Sequence, residues 1–112
     1  MPNIGIKLEV STLRVPHGAP RKVGDITYAP AVSNVARGDV IAWNAGAPFT
    51  LVFRERTPFD DAVLHSEQTG TSHAVRTNVR ADTPPGIYYY AVGIATPEGV
   101  FVDAGCPAVI VH

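Results

Sequence analysis

Hydrophobic and polar residues alternate along much of the chain, which is the pattern of β-strands with one buried face. Residues 4–10 place four aliphatic side chains on one face of a strand and Gly5, Lys7 and Glu9 on the other. The apolar positions change from even to odd numbers after Val10, which predicts a bulge or bend at residues 11–12.

Shorter segments predict further strands, at residues 25–28, 39–44, 49–53, 72–79, 87–94 and 108–111. Segments 39–44 and 87–94 are apolar on both faces, which is typical of central strands. One segment favours a helix of a turn or two, because Thr57 can cap it and Pro58 suits its first position.

The 10 glycines and 10 prolines fall at short intervals between these segments, which is typical of an all-β sandwich or barrel. A chain of 112 residues has the length of one ordinary domain. We therefore predict a single domain over residues 1–112: a Greek-key β-sandwich of seven or eight strands with at most one short helix.

The net charge, the length of the apolar runs and the first residues limit the function and location we expect. The net charge is -1, so the chain lacks the basic surplus of a nucleic-acid or membrane-surface binder, and we expect neither partner. Its apolar runs are far shorter than the ~20 residues of a membrane helix. No signal peptide is visible at residues 1–10, which favours a cytoplasmic location, or a periplasmic one if a leader was removed.

Several segments together resemble the cupredoxins, the plastocyanin- and azurin-type family. Residues 38–44 (GDVIAWN) and 48–53 (PFTLVF) resemble the family's Gly-Asp-x-Val-x-Trp/Phe-x-Asn and Pro-His-x-Val-x-Phe stretch. Residues 85–92 (PGIYYYAV) resemble its Gly-Thr-Tyr-x-Phe/Tyr-x-Cys strand, and 104–111 resemble its Ala-Gly-Met loop and last strand. The resemblance implies a cupredoxin-like fold, with an immunoglobulin-like sandwich as the alternative.

The copper ligands of that family are absent at the matching positions. A type-1 copper site needs two imidazoles, a thiolate and a weak axial thioether. Phe49 matches the first His, Val92 the Cys, Ala95 lies near the second His, and Cys106 matches the axial Met. We therefore expect a domain that binds no type-1 copper and needs no cofactor.

Trp43 and Tyr88 also belong to the matched segments, and each has a simple structural role. Trp43 is expected in the core. Tyr88 follows Pro85 and Gly86, and we expect it to be a core or corner tyrosine whose hydroxyl bonds the backbone.

Two functions remain open. The first is a non-enzymatic binding or interaction module, with a protein as the possible partner. It would use an exposed sheet face or the former copper end, formed by Phe49, Val92, Ala95, Phe101 and Cys106. The loop over residues 93–107 either completes the core at that end, which we favour, or leaves an apolar patch for a partner.

The second function is a minimal divalent-metal protein. If residues 67–71 form a hairpin loop, His65 faces His73 across an antiparallel pair, with Glu67 nearby. Two imidazoles are an incomplete zinc site, since zinc usually takes three or four protein ligands. An enzyme is a more distant third, because no nucleophile–base or paired-carboxylate arrangement is readable.

Overall fold

The chain folds into β-strands arranged in three sheets. The structure, a computed structural model, describes residues 3–14, 22–97, 99–103 and 107–112. The strands of this described part are β1 Asn3–Arg14, β2 Lys22–Ala29, β3 Val32–Val35, β4 Val40–Ala45, β5 Phe49–Val52, β6 Val63–His65, β7 Glu67–Thr69, β8 Ser72–Asn78, β9 Gly86–Tyr89, β10 Ala91–Thr96, β11 Gly99–Asp103 and β12 Ala108–Val111. The described residues contain no helix, and therefore none that could span a membrane.

The largest sheet has five strands in the order β2-β1-β4-β8-β7. β1 pairs with β4 in parallel, and the other neighbours are antiparallel. The register aligns Ile6, Trp43 and Val75 in one row, and all three are buried. β4 is central, as its two apolar faces predicted.

The second layer consists of a four-stranded sheet, β11-β10-β5-β6, and a three-stranded sheet, β3-β12-β9. Only Tyr90 separates β9 from β10, and its backbone N–H donates to the carbonyl of Pro107 at 3.1 Å. Burial alternates without a break through Tyr88, Tyr90, Val92 and Ile94. Residues 86–96 therefore act as one long strand that is shared by both smaller sheets.

An aromatic cluster fills the core between the layers. The Trp43 ring meets the rings of Phe59 and Tyr90 edge-on, with centroid distances of 5.7 and 5.8 Å. Phe53 lies 5.3 Å from Phe59 and 5.2 Å from Tyr90. These contacts lie in the range in which aromatic pairs add to the free energy of burial. The core role predicted for Trp43 is thus confirmed.

At one edge the two layers are joined by a hydrogen bond. The hydroxyl of Tyr28 on β2 donates to the carboxylate of Asp103 on β11 at 2.9 Å. The all-β, sandwich-like class predicted from the sequence is therefore what the structure has.

The predicted helix at residues 57–64 is wrong. The Thr57 hydroxyl does accept the backbone N–H of Phe59 at 3.1 Å, as a cap would. It also donates to the carbonyl of Asp61 at 2.9 Å, and this closes a compact turn instead of starting a helix. The segment then folds inward, so that Phe59 becomes part of the core.

Of the bulge or bend predicted at residues 11–12, the bulge is wrong. β1 and β2 pair in one uninterrupted register from Lys7 opposite Ala29 to Arg14 opposite Lys22. The change of apolar parity therefore occurs along a regular antiparallel ladder.

The strand number exceeds the seven or eight predicted for two reasons. The predicted strand 87–94 is divided at Tyr90, and β3, β6, β7 and β11 lie outside the predicted segments. The chain passes from β2 to β3 through Ala29 and Pro30, whose peptide bond is cis, and from β6 to β7 through Ser66. Much of the predicted loop 93–107 is also strand, since β10 and β11 form an antiparallel hairpin with Ile94 opposite Phe101.

The closed end and a candidate contact surface

Phe49, which the sequence predicts at the position of a copper-ligating His, is a core residue. It is 3% exposed and faces inward from the start of β5. The hydroxyl of Ser66 accepts its backbone N–H at 2.9 Å, and its carbonyl accepts the N–H of Ser66, also at 2.9 Å. The N–H of Ala95 donates to the neighbouring Pro48 carbonyl at 2.9 Å. These bonds hold the phenyl ring under β10.

The other residues of the predicted end are divided by the fold. Val92 is buried and lies diagonally from Phe49 on the inner face, since Phe49 is opposite Ile94. Phe101 is half-buried against the core, whereas Ala95 is exposed on the outward side of β10. Cys106 lies outside the described residues. Phe49 and Val92 thus complete the core, and Ala95 belongs to a different surface.

The predicted pairing of His65 with His73 is wrong. The hairpin turns at Gly70 and Thr71, so His73 lies opposite Gln68. His65 belongs to β6 of the four-stranded sheet, where its Nδ1 lies 3.0 Å from the Thr50 hydroxyl. His65 projects outward from one layer, whereas His73, opposite Ala45, faces inward from the other. The cause is the change of sheet at Ser66.

Among the described residues, the outward side of the four-stranded sheet carries no Asp, Glu, Lys or Arg. We call this surface the uncharged face. It consists of the outward positions of four strands, which are Thr50, Val52, Val63, His65, Ala91, Gly93, Ala95, Val100 and Val102. Val100 and Val102 are 69% and 71% exposed, so large aliphatic side chains stand in solvent on an edge strand. Exposed apolar patches of this kind often mark interaction sites.

The uncharged face has a trough and two walls. The central strand β10 contributes only small side chains, Ala91, Gly93 and Ala95. Val100 and Val102 form the wall on β11, and Val63 and His65 form the wall on β6. A shallow cleft of about 330 Å³ lies in this trough, between Thr50, His65, Gly93 and Val100 among others.

Exposed apolar side chains continue onto the three-stranded sheet. Ile87 and Tyr89 point outward from β9, and Val32 does so from β3. Among the described residues, all six large apolar side chains that are exposed lie on the outward side of this second layer, namely Val32, Val63, Ile87, Tyr89, Val100 and Val102. The long strand 86–96 makes the two outward surfaces continuous.

The outward side of the five-stranded sheet is charged and polar. Lys7 and Glu9 form an ion pair at 2.8 Å there, and Arg76 is exposed on β8. The hydrogen bond from Lys7 to Glu9, with the attraction between their charges, raises the pKa of Lys7. The two outer surfaces of the molecule therefore differ sharply in character.

Charged residues lie at the rim of the second layer. A cleft of about 570 Å³ lies between residues 54–56 and the strand residues 87–90. The Arg56 guanidinium stacks over the Tyr88 ring at 4.5 Å, which is a cation–π contact. The guanidinium also lies close to Gly86, where a Cβ would come within 2.7 Å of the Arg56 Nη2.

Tyr88 is the predicted corner tyrosine. Its ring is buried and its hydroxyl donates to the carbonyl of Pro84, four residues earlier. Tyr90, two residues on, is buried in the aromatic cluster, where its hydroxyl accepts the indole N–H of Trp43 at 3.2 Å. Burial raises the pKa of Tyr90 to about 12.

A third cleft, of about 690 Å³, lies beside the turn at residues 46–47. Leu8, Ala45 and Ile94 contribute apolar lining. Lys7 and Glu9 also line it, and they are paired with each other. This cleft thus offers mainly apolar contact.

Sequence reasoning missed the uncharged face because it placed Gly93–Pro107 in a loop. One signal was present: residues 100–102 are β-branched or aromatic and lie between Gly99 and Asp103, which favours a short strand. The small residues at alternate positions 91, 93 and 95 would then have appeared as one outward row.

Neither the metal-ligating side chains of the described residues nor comparison with known proteins indicates a further site. Within the described residues, no group of three or more His, Cys, Asp and Glu side chains could hold a metal ion. No protein-family model matches the chain, and a search of curated proteins found none that matches it.

Proposed function

We propose that this chain is a non-enzymatic, cupredoxin-like Greek-key domain that has lost its type-1 copper site and works as a binding module. Its contact surface is the uncharged face of the four-stranded sheet. The observation that carries the proposal is the contrast between this face, with nine uncharged or His positions, and the charged outer side of the five-stranded sheet.

The loss of the copper site is supported by what occupies the ligand positions. Phe49 and Val92 offer a metal no lone pair, and both side chains are packed in the core. A metal at this end would require their aromatic and aliphatic atoms to leave a buried environment. The closed end thus serves stability, and recognition falls to another surface.

The binding role is supported by exposure. Val100 and Val102 are largely in solvent although neighbouring Phe101 packs inward, so burial of the inner face does not require valine at these two positions. Exposed aliphatic side chains that contribute little to the core favour binding, because a partner that covers them removes their apolar area from water.

Retention on a hydrophobic-interaction column tests whether this face is the accessible apolar surface. The double variant Val100→Lys/Val102→Lys should elute clearly earlier than the wild type when loaded dilute. The matched control Asn44→Lys/Asn78→Lys adds the same charge to the opposite face and should elute nearly with the wild type. Equal retention of the two double variants would contradict the proposed contact surface.

Copper titration tests the other half of the proposal. Because Phe49 and Val92 replace a His and a Cys ligand, Cu(II) should produce no intense blue thiolate absorption band. The control is Cys106→Ser, which should give the same featureless spectrum. A blue band in the wild type that disappears in Cys106→Ser would show that a copper site exists and that the alignment of the last loop is wrong.

A further inference from the structure

We infer that the edge of β9 binds an extended peptide segment of a partner protein, which adds to the sheet as an antiparallel strand and carries an acidic side chain opposite Tyr88. The site is the cleft between residues 54–56 and the strand residues 87–90. It lies outside the nine positions of the uncharged face, so it does not depend on the proposed contact surface.

The cleft exists because β5 leaves the long strand 86–96 before that strand ends. The last pair between them is Val52 with Ala91. The N–H of Phe53 then donates to the carbonyl of Ala62 at 2.8 Å, which directs the chain toward β6. Within the described residues β9 is paired with β12 alone, so its other side is an open sheet edge.

Two residues of β9 direct their backbone groups into the cleft. Successive residues of a strand point their N–H and C=O groups to opposite sides. The N–H of Tyr90 donates to Pro107 on the β12 side, and that of Ala95 donates to a carbonyl on the β5 side. Ile87 and Tyr89 alternate with Tyr90 as Ala95 does, so their groups face the cleft. Neither N–H has a backbone partner there among the described residues.

This arrangement selects the main chain of a peptide as the ligand. Two N–H and two C=O groups at alternate positions match an extended backbone, and open edges are where peptides add as strands. The carbonyl of Ile87 has a long contact with the Arg56 Nη2, at 3.5 Å, which a peptide N–H can replace. The cleft volume of about 570 Å³ is in the usual range of binding sites.

Side chains beside the edge specify the peptide sequence. Ile87 and Tyr89 are exposed on the outward side, and residues that lie opposite each other in an antiparallel pair share a face. Apolar peptide residues therefore suit these two positions. The peptide residue between them faces inward, where the Arg56 guanidinium lies over the Tyr88 ring at 4.5 Å. A carboxylate at that position can form a charge-assisted hydrogen bond with Arg56.

Fluorescence polarisation with one peptide tests the site. The probe is fluorescein-labelled Ser-Thr-Val-Glu-Val-Thr-Ser amide, which has the same residue order in both directions and places Glu between two apolar residues. The full chain should bind it with a Kd of about 10–500 μM. No binding at about 1 mM protein overturns the inference.

N-methylated probes test whether the peptide pairs through its backbone. In the antiparallel arrangement both Val N–H groups point at β9, whereas the Glu N–H points away from it. Methylation of both Val nitrogens should weaken binding about tenfold or more, and methylation of the Glu nitrogen should change it by less than about threefold. Equal losses in the two probes overturn strand addition. This comparison uses the wild-type protein and needs no variant to fold.

Two substitutions at position 89 separate backbone from side chain. Tyr89→Pro removes the N–H that faces the cleft, and no hydrogen bond to β12 is lost because that N–H points away from β12. Binding should fall about tenfold or more, whereas Tyr89→Ala keeps the N–H and should stay within about threefold of the wild type. Equal losses would assign binding to the side chain and overturn the inference. Far-UV circular dichroism shows whether both variants are folded.

A double-mutant cycle tests the acidic position. Replacing Glu by Gln in the probe should weaken binding to the wild type about fivefold, and it should have little further effect in Arg56→Gln. Arg76→Gln, on the opposite outer surface, is the control and should respond to the two probes as the wild type does. A preference for Glu that survives in Arg56→Gln overturns the assignment of the acidic side chain to this site.

The remaining outcomes separate this site from other occupants and from the proposed contact surface. Val100→Lys/Val102→Lys should bind the probe within about threefold of the wild type, and a tenfold loss would place the peptide on the uncharged face instead. A wild-type protein that sediments as a dimer, becomes monomeric in Tyr89→Pro and excludes the probe would show that a second copy covers the edge, and this also overturns the inference.

Discussion

Phe49 has a structural role that its burial makes measurable. Its phenyl ring lies in the core beside Ile94 and diagonal to Val92. Truncation to alanine would leave a cavity under β10 that the ladder of backbone hydrogen bonds around Pro48 and Ser66 prevents from collapsing fully.

Phe49→Ala should therefore lower the free energy of unfolding by about 3–5 kcal/mol, measured by urea denaturation. Val100→Ala is the control, because its exposed side chain should change stability by no more than about 0.5 kcal/mol. A loss below about 1 kcal/mol in Phe49→Ala would count against the closed end.

Tyr90 gives the core a measurable pH dependence. Burial holds its pKa at about 12, compared with 10.0 for the ordinary side chain. The folded state thus keeps its proton at a pH where the unfolded state loses it. The contribution of the protonated Tyr90 hydroxyl to the free energy of unfolding is fully present below pH 10.0. The free energy of unfolding falls by about 2–3 kcal/mol as the pH rises toward about 12.

Urea denaturation of the wild type and Tyr90→Phe from about pH 9 to about pH 12 tests this. At the low end Tyr90→Phe should be less stable by about 1–3 kcal/mol, since the indole N–H of Trp43 loses its acceptor. The difference should shrink with rising pH, because only the wild type carries this titrating group. Curves that stay parallel would mean that Tyr90 titrates normally in the folded state.

At the scale of elements, the β7–β8 hairpin controls where the two histidines lie. Its two-residue turn contains Gly70 with φ +64°, a conformation that other residues adopt at a cost. This turn pairs Gln68 with His73 and directs β7 into the five-stranded sheet, away from β6.

Gly70→Ala should lower the free energy of unfolding by about 1–2 kcal/mol through backbone strain alone, since a Cβ at this position meets nothing within 4 Å. Gly46→Ala is the matched control, because that position is equally open and needs no positive φ, so its stability should be unchanged or slightly higher. Thermal or urea unfolding compares the two. Equal stability of both variants would show that the turn tolerates a side chain.

The elements predicted from the sequence and those that were missed differ for a physical reason. The strands β4, β8 and β12 could be predicted from the sequence, because alternating burial or a central position in a sheet determines which of their residues are apolar. The change of sheet at Ser66 is not visible in the sequence, because exposed and half-buried residues keep alternating from Val63 to Glu67 while the chain enters a different sheet. The pairing of His65 depends on that change.

The candidate site divides in the same way. The loss of metal-ligating atoms at Phe49 and Val92 is readable from residue type alone, and so is the corner role of Tyr88. The uncharged face is not, because it combines positions from four strands whose neighbours are set by the tertiary fold. At Thr57 the sequence predicted too much. The hydrogen bond of a helix cap is present, but the Thr57 hydroxyl also closes a turn that buries Phe59, and no helix follows.

At the scale of the whole molecule, the chain concentrates its charge on one outer surface and its exposed aliphatic groups on the other. Among the described residues, the charged groups close to the contact surface include Arg54, Glu55 and Arg56 at its rim. The nine positions of the uncharged face itself carry no Asp, Glu, Lys or Arg. Binding at this face should therefore be dominated by burial of apolar area.

This predicts a specific salt response. Raising NaCl from about 0.05 to about 0.5 M should change retention on the hydrophobic-interaction column little, because salt screens charges and the contact surface carries no Asp, Glu, Lys or Arg. Ammonium sulfate should strengthen retention, since excluded salts favour apolar burial. Glu55→Gln is the rim control, and it should elute with the wild type under both salts. Retention that changes more in Glu55→Gln than in Val100→Lys/Val102→Lys would place the contact surface on the charged rim.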